Sequence, residues 1–361
     1  MKKMRKMKTC LVMLLSVAIF YGCGQPKVGP VGENETLEVS YDSTDKTNDF
    51  YDDAETIALK GERKVEVTGE ILDSRIIDFS NLKKHSVIVK ETKFQTPADS
   101  FVGAYRYDGY SLYDILNEVV LNKKNKEEYS PIIDIFVEIE NNAGEKVVLS
   151  WGEIYYPIHR HEIIIATDVM RIVPSKTKEL WTLPENTKLV VGSDLITARN
   201  ISNPSKIKII SYPTDIVSQK GMKPLFSPEV KISDGEKEIL TLKDAPKNIV
   251  MQNYPAIFYG KGRGIHSTQP FKGVMVKDIL HDNFSLSEEL IKKGLIFAVA
   301  KDGYRSVFSY SEVMNRNDQA ELLLITKLDE EDGSVFRIYP SMDFFSDRAV
   351  KALTEISCVL W

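Results

Sequence analysis

A motif that occurs twice in the chain limits the folds that this sequence can adopt. Residues 107–116 read YDGYSLYDIL and residues 271–280 read FKGVMVKDIL, so each copy has an aromatic residue, a glycine two positions later and then Asp-Ile-Leu. Each copy is followed by a glycine and, nine residues after it, a glutamate: Gly144 and Glu153, then Gly303 and Glu312. The shared order and spacing predict a tandem repeat of one folding unit.

The chain length is compatible with two such units. The 361 residues exceed what one typical core encloses, and two copies of about 140–150 residues match the usual domain size. A stretch rich in Pro and Gly, YPTDIVSQKGMKPLFSP, separates the copies. We therefore predict five segments, which are a signal peptide at 1–22, a flexible tether at 23–60, a first repeat at 61–213, a linker at 214–228 and a second repeat at 229–361.

Local patterns place strands and short helices within each repeat. Residues 64–71, KVEVTGEI, have the period-two alternation of a strand. The SLYDILNEVV stretch fits a short amphipathic helix with Ser111 as its N-cap. Two further stretches read as hairpins, IFVEIENNAGEKVVLSW and LIFAVAKDGYRSVFSY. Asp114 and Asp278 are interpreted as capping residues or as hydrogen-bond partners of the neighbouring loop. Glu153 and Glu312 are interpreted as helix-start residues after the hairpins.

The N-terminus has the pattern of an export signal. MKKMRKMK carries five positive charges and is followed by the apolar stretch TCLVMLLSVAIFYGC. The Gly22-Cys23 pair at its end resembles the bacterial lipoprotein box, although Phe20 stands where that box usually has Leu. The resemblance implies lipid attachment at Cys23 and a protein anchored to a membrane of the cell envelope. A plain secretion signal and an uncleaved anchor are the alternatives.

Charge and cysteine content narrow the class of protein. Removal of the five positive charges in residues 1–22 would take the formal net charge from −5 to −10, which disfavours nucleic acid as a partner and also disfavours a polybasic membrane-binding patch, so the lipid is the predicted membrane anchor. The three cysteines are Cys10, Cys23 and Cys358. Because the first lies in the signal segment and the second is the predicted lipid site, no internal disulfide is expected. Cys358 lies in an apolar run and is predicted to be a buried strand residue.

The order of motifs in each half resembles the molybdopterin-binding domain of the sulfite oxidase family. The resemblance covers nearly all of 61–361 and rests on KVEVTGEI, on both copies of the glycine motif, on AKDGYRSVFSYSEV at 300–313 and on DRAVKALTEISCV at 347–359. It implies an α+β fold, in two tandem copies, with mixed β-sheets and short helices. It also implies molybdopterin as the cofactor.

One departure from that family bears on activity. Its redox chemistry uses a cysteine thiolate on the metal, from the loop before the glycine motif, and neither 91–106 nor 253–270 contains a cysteine. We therefore favour a non-catalytic ligand-binding or assembly role at the cell envelope. A molybdopterin-dependent oxidoreductase without the usual cysteine, and a structural platform for an envelope protein partner, remain as alternatives.

The GKGRGIHS stretch at 260–267 is the predicted binding loop. Its glycines let successive backbone N–H groups turn toward an anion, Arg263 can clamp a phosphate and Lys261 adds a point charge. With the family resemblance, the residues predicted to contact a small anionic ligand are Lys261, Arg263, His266, Arg348 and Lys351. A solvated basic loop is the alternative reading.

The histidines do not suggest a metal site by sequence alone. In the HRHE stretch, His159 and His161 would share one face of a strand while Glu162 points away, so a third ligand is missing. We interpret this stretch as a surface cluster. His85 and His281 are isolated in the sequence and are interpreted as structural or surface residues.

Overall fold

A computed structural model describes residues 56–174, 176–326 and 336–361. The predicted signal peptide, the lipidation site Cys23 and most of the predicted tether lie outside these residues. Among the described residues, no helix has the length and apolar character needed to cross a bilayer.

The first half of the described chain consists mainly of strands. In chain order its elements are β1 (Ile57–Ala58), β2 (Lys64–Gly69), β3 (Arg75–Asp78), β4 (Lys84–Lys93), β5 (Ser100–Ser111), α1 (Leu112–Asn117), β6 (Ile135–Asn141), β7 (Lys146–Ser150), α2 (Trp151–Tyr155), β8 (Ile163–Arg171), β9 (Lys188–Val191) and β10 (Pro204–Ser211). Strand β1 pairs with β8, so regular structure begins before residue 61, where the first repeat was predicted to start.

The second half continues in the same manner. Its elements are β11 (Val230–Ser233), β12 (Glu238–Leu242), β13 (Gln252–Tyr254), β14 (Phe258–Gly260), β15 (Gly264–Ser267), β16 (Phe271–Met275), α3 (Val276–Leu280), α4 (Glu288–Lys293), β17 (Gly294–Ala300), β18 (Arg305–Ser309), α5 (Tyr310–Met314), β19 (Leu322–Thr326), β20 (Phe336–Pro340) and β21 (Leu353–Leu360). Cys358 is buried in β21 with a free thiol, as predicted.

The strands form four large sheets and one small one. Their orders are β1-β8-β5-β4 with β9 beside β8, β3-β2-β10-β6-β7, β12-β11-β21-β17-β18, β13-β16-β19-β20 and β14-β15. The protein is 45% strand and 11% helix, and the sheets are arranged as a four-bladed β-propeller.

The prediction of two tandem sulfite-oxidase-like α+β domains is therefore wrong. Each of the helices α1 to α5 has only five or six residues, which is about one and a half turns. Helices of this length close the ends of strands and cannot form a layer over a sheet. The motif order that carried the resemblance specifies strand, short helix and hairpin, and a blade of a propeller satisfies that order equally well.

The strand order of the first half recurs in the second. The sheet β3-β2-β10-β6-β7 corresponds strand for strand to β12-β11-β21-β17-β18, and β4-β5-β8-β9 corresponds to β13-β16-β19-β20. Each half thus contributes two blades, and the repeated landmarks occupy equivalent positions in them.

The glycine of the repeated motif is required by close strand approach. A Cβ atom on Gly109 would lie 2.2 Å from the carbonyl oxygen of Ile165 in β8, and one on Gly273 would lie 2.4 Å from that of Leu324 in β19. Both distances are far below van der Waals contact. Only glycine therefore fits where β5 and β16 pass their neighbours, which explains why both copies carry it.

The two halves share an apolar core. One hydrophobic cluster takes side chains from β6 and β7 of the first half and from β17 and β18 of the second: Phe136, Val148, Leu295, Phe297, Val299 and Val307. All seven residues of β17 are buried, which is expected of a strand covered on both faces. Burial of this surface holds the halves together through the hydrophobic effect.

Two buried arginines extend the contact between the halves. Arg199 donates to both carboxylate oxygens of Asp194 at 2.7 and 2.8 Å and of Glu153 at 3.0 Å, and it reaches Ser309 Oγ in the other half at 3.1 Å. Glu153 also completes the capping box of α2 with Ser150, which confirms its predicted helix-start position.

Arg348 makes the equivalent contacts in the second half. It donates to Asp343 at 2.7 Å and to Glu312 at 3.0 Å, again with two bonds each, and to Ser150 Oγ of the first half at 3.2 Å. Glu312 completes the capping box of α5 with Ser309. The two arginine clusters therefore interlock, since each arginine contacts the capping serine of the opposite half.

The clusters together contain more carboxylates than arginines. Burial raises the pKa of Glu153 to about 7, with Arg199 opposing the rise and Glu312 adding to it. Burial likewise raises the pKa of Asp343 to about 6 against the opposing effect of Arg348. The pKa values of these carboxyl groups rise because ionised carboxylates are costly to bury in excess of their cationic partners.

Candidate functional site

The candidate site lies where three elements of the first half meet. Pairing of β4 with β5 places His85 opposite Gly109, two residues before β5 ends at Ser111. Helix α1 starts there, and Asp114 lies in its first turn, where its N–H donates to the Ser111 hydroxyl at 3.1 Å. His161 lies in the turn before β8, the strand that pairs with the other side of β5.

Two histidines and one aspartate converge at this point. His85 Nε2 lies 2.8 Å from Asp114 Oδ2. His161 Nδ1 lies 3.0 Å from Ser111 Oγ and 3.7 Å from the same oxygen of Asp114. The imidazole rings stack with centroids 4.0 Å apart and an angle of 4° between their planes.

The cluster is partly accessible to solvent. The side chains of His85, Asp114 and His161 are 15%, 24% and 40% exposed. They line an open pocket of about 320 Å³ together with Asn81, Leu82, Lys83, Asn117 and Glu118. A small ion or molecule can therefore reach them from the surface.

The environment of His161 favours the neutral imidazole. Burial lowers the pKa of His161, and the neighbouring His85 lowers it further. Tyr113 contacts the same ring edge-on with centroids 5.4 Å apart. A neutral imidazole has one unprotonated nitrogen, which is the form that accepts a hydrogen bond or binds a metal.

The three side chains form a donor set suited to a divalent transition metal. One donor atom from each of His85, Asp114 and His161 lies within 4.8 Å of the other two. Two imidazole nitrogens and a carboxylate oxygen form a ligand set common to Zn²⁺ and other first-row metals. Since the two imidazole rings lie parallel, their nitrogen lone pairs do not point toward one common position. Binding of one metal ion by both histidines would require the rings to rotate out of the stack.

The structure distributes the residues of the predicted basic site over two environments. Lys261, Arg263 and His266 are exposed on the β14–β15 hairpin, and Lys351 is exposed before β21. Arg348, in contrast, is completely enclosed in the core and saturated by Asp343 and Glu312. Arg348 therefore does not face a ligand alongside the hairpin residues.

The histidine cluster was missed by sequence reasoning. The HRHE residues lie in a turn rather than on a strand, with His159 exposed, and His161 finds its partners in His85 and Asp114. Asp114 was interpreted as a capping or loop-contacting residue, and its contact with His85 spans 29 positions in the chain. The one sequence signal for the cluster was the position of Asp114 in the repeated motif. Only the pairing of β4 with β5 brings His85 close to Asp114.

No protein-family model matches the chain, and no curated protein matches it.

Proposed function

We propose that the protein is a non-catalytic metal-binding protein of the cell envelope, which holds one divalent transition-metal ion with His85, Asp114 and His161. The observation that supports this is the approach of three donor atoms from separate elements on the wall of one open pocket. His85 lies in β4, Asp114 lies in α1, and His161 contacts the Ser111 hydroxyl that caps α1, so the three side chains lie close together without a metal.

The stacked rings favour reversible binding over a permanent or catalytic centre. Catalytic metal sites depend on ligands already held in the productive geometry. Here His85 and His161 must rotate out of a stack with an angle of 4° between their planes before both can bind one ion. This reorganisation lowers the affinity, as expected of a protein that takes up and releases its metal.

The envelope location in this proposal is supported by the N-terminal sequence. The basic start, the apolar stretch and the Gly22-Cys23 pair together have the order of a lipoprotein signal. Metabolic labelling with a radioactive fatty acid tests it, because label should enter the wild-type protein and not the Cys23→Ser variant. Label in both would refute lipid attachment at this residue.

Titration with Zn²⁺ and Co²⁺ tests the metal site. We expect one bound ion per chain, and with Co²⁺ a visible absorption band from nitrogen and oxygen ligands. His161→Ala should weaken binding at least tenfold, about 1.4 kcal/mol, and Asp114→Asn should weaken it through loss of the carboxylate charge.

A matched control is available in the second half. His281 lies 3.5 Å from Asp282, and both side chains are more than 70% exposed, so this pair contains similar groups without the convergent third ligand. His281→Ala should leave the affinity unchanged. Equal affinities for wild type, His161→Ala and His281→Ala would refute the proposed site, and circular dichroism of each variant shows whether the fold is retained.

A further inference from the structure

A second surface combines exposed and partly exposed aromatic and aliphatic side chains. A pocket of about 260 Å³ is lined by Tyr155, Ile158, Arg160, Phe344 and Phe345, among others. Ile158 is 64% exposed and Phe344 is 53% exposed. Apolar side chains that lie together in solvent in this way are typical of an interaction site.

The β14–β15 hairpin extends this surface. Tyr259 lies beside the pocket, with its ring centroid 5.8 Å from that of Phe344 and 5.9 Å from that of Phe345. Ile265 is opposite Tyr259 in the hairpin and is 66% exposed. The Lys261 N–H donates to Asp347 Oδ2 at 3.1 Å, which fixes the hairpin against the segment that carries the phenylalanines.

The hairpin tip adds positive charge at the edge of the apolar surface. Lys261 and Arg263 alternate with glycines in the turn, and both are exposed. At the other edge, the Arg160 guanidinium lies 5.1 Å from the centre of the Tyr113 ring. We call the set formed by Tyr155, Ile158, Tyr259, Phe344, Phe345, Lys261 and Arg263 the aromatic–basic patch.

The chemistry of the aromatic–basic patch matches an anionic lipid surface. Aromatic rings with polar tips favour the headgroup layer, aliphatic side chains enter the acyl boundary, and Lys and Arg attract anionic lipids. Without residues 1–22 the formal net charge would be −10, so an anionic surface repels most of the molecule and favours contact through its basic region. A symmetric contact with a second copy would bring the basic hairpins of both chains to one interface, which disfavours it.

We propose that the aromatic–basic patch docks on the anionic surface of a phospholipid bilayer. The proposal rests on the envelope location proposed above and is independent of the metal site. The 32 residues from 24 to 55 could span at most about 110 Å when fully extended, so a lipid anchor at Cys23 would not by itself choose which face meets the membrane. The aromatic–basic patch would determine which face of the protein contacts the membrane.

Amide hydrogen exchange of the full chain on vesicles tests the proposal. The protein is incorporated into vesicles of phosphatidylcholine alone or of phosphatidylcholine with phosphatidylglycerol. We expect exchange at 258–267 to slow at least fivefold on the vesicles with phosphatidylglycerol, relative to phosphatidylcholine alone. The protection should diminish at high salt, which screens the charges.

Charge-reversal variants show whether the patch is responsible. Lys261→Glu with Arg263→Glu should abolish the protection, whereas Lys220→Glu with Lys223→Glu, at two exposed lysines outside the patch, should retain it. Phe344→Ser should reduce it through loss of the apolar contact.

Three results would overturn the proposal. These are equal exchange on both kinds of vesicle, equal effects of the two charge-reversal pairs, and protection without vesicles that rises with protein concentration. Because the vesicles are supplied directly, failure here would leave the metal titration and the lipid-labelling results standing, and failure of the metal titration would leave the docking result standing.

Discussion

Replacement of Gly152 by alanine should displace a buried arginine. Gly152 lies in α2 of the first half, and a Cβ atom built on it would come within 2.3 Å of both Cζ and Nε of Arg348 and within 2.4 Å of Cδ. Arg348 cannot move aside freely, because Asp343 and Glu312 each hold it with two hydrogen bonds. The added methyl group must therefore disrupt these ion pairs or shift the helix.

The expected change in the free energy of unfolding of the Gly152→Ala variant follows from two opposing effects. Breaking a buried ion pair costs about 3–5 kcal/mol, while alanine is favoured over glycine in a helix by about 1 kcal/mol. We expect a net loss of roughly 2–4 kcal/mol in the free energy of unfolding. For a domain of 150–250 residues this corresponds to a decrease of roughly 5–15 °C in Tm, and somewhat less for a larger chain.

Urea and thermal unfolding, followed by circular dichroism, measure this loss against a matched control. Gly262→Ala makes the same chemical change in the hairpin turn, where no atom lies within 4 Å of the added carbon, and it should change the stability by less than about 0.5 kcal/mol. Ser311 is the residue equivalent to Gly152 in the second half, and its hydroxyl donates to Asp194 at 3.0 Å. Equal stability of the Gly152→Ala and Gly262→Ala variants would show that Arg348 accommodates the added methyl group, and would refute the steric argument.

Two other properties should follow from buried polar groups. Because burial raises the pKa of Glu153 to about 7 and of Asp343 to about 6, the folded state holds protons that the unfolded chain releases near pH 4. Their contribution to stability is therefore present below pH 4 and is lost as the pH rises to about 7. The urea concentration at the midpoint of unfolding should decrease as the pH is raised from 5 to 8. A midpoint that does not decrease would contradict the raised pKa values. Tyr129 donates to the Arg305 carbonyl at 2.6 Å and accepts from the Arg305 N–H at 3.1 Å, so Tyr129→Phe should cost about 1–3 kcal/mol in urea unfolding. Tyr155→Phe, which loses one hydrogen bond on the exposed side, is its control, and equal effects of the two would argue against a special role for the buried hydroxyl.

Local features of the fold could be read directly from the sequence. The N-cap of α1 at Ser111 and the helix-start positions of Glu153 and Glu312 were predicted, because each depends on hydrogen bonds across three residues. The hairpin turn at Gly303 and the burial of Cys358 were likewise predicted, from a turn signal and an apolar run. The repeated glycine motif showed that two similar units are present, and the matching strand orders follow from it.

Only the tertiary structure decided how those elements combine. Short helices between strands are compatible with an α+β domain or with propeller blades, and the choice depends on packing between sheets, which no local pattern encodes. The same holds for side chains distant in sequence. Arg348 reads as a basic surface residue until its buried carboxylates are in place, and His85 reads as isolated until strand pairing brings it to Asp114 and His161. Periodicity and capping depend on residues a few positions apart in the sequence. A site instead depends on strand registers and contacts between blades, which join residues tens to hundreds of positions apart and exist only in the folded chain.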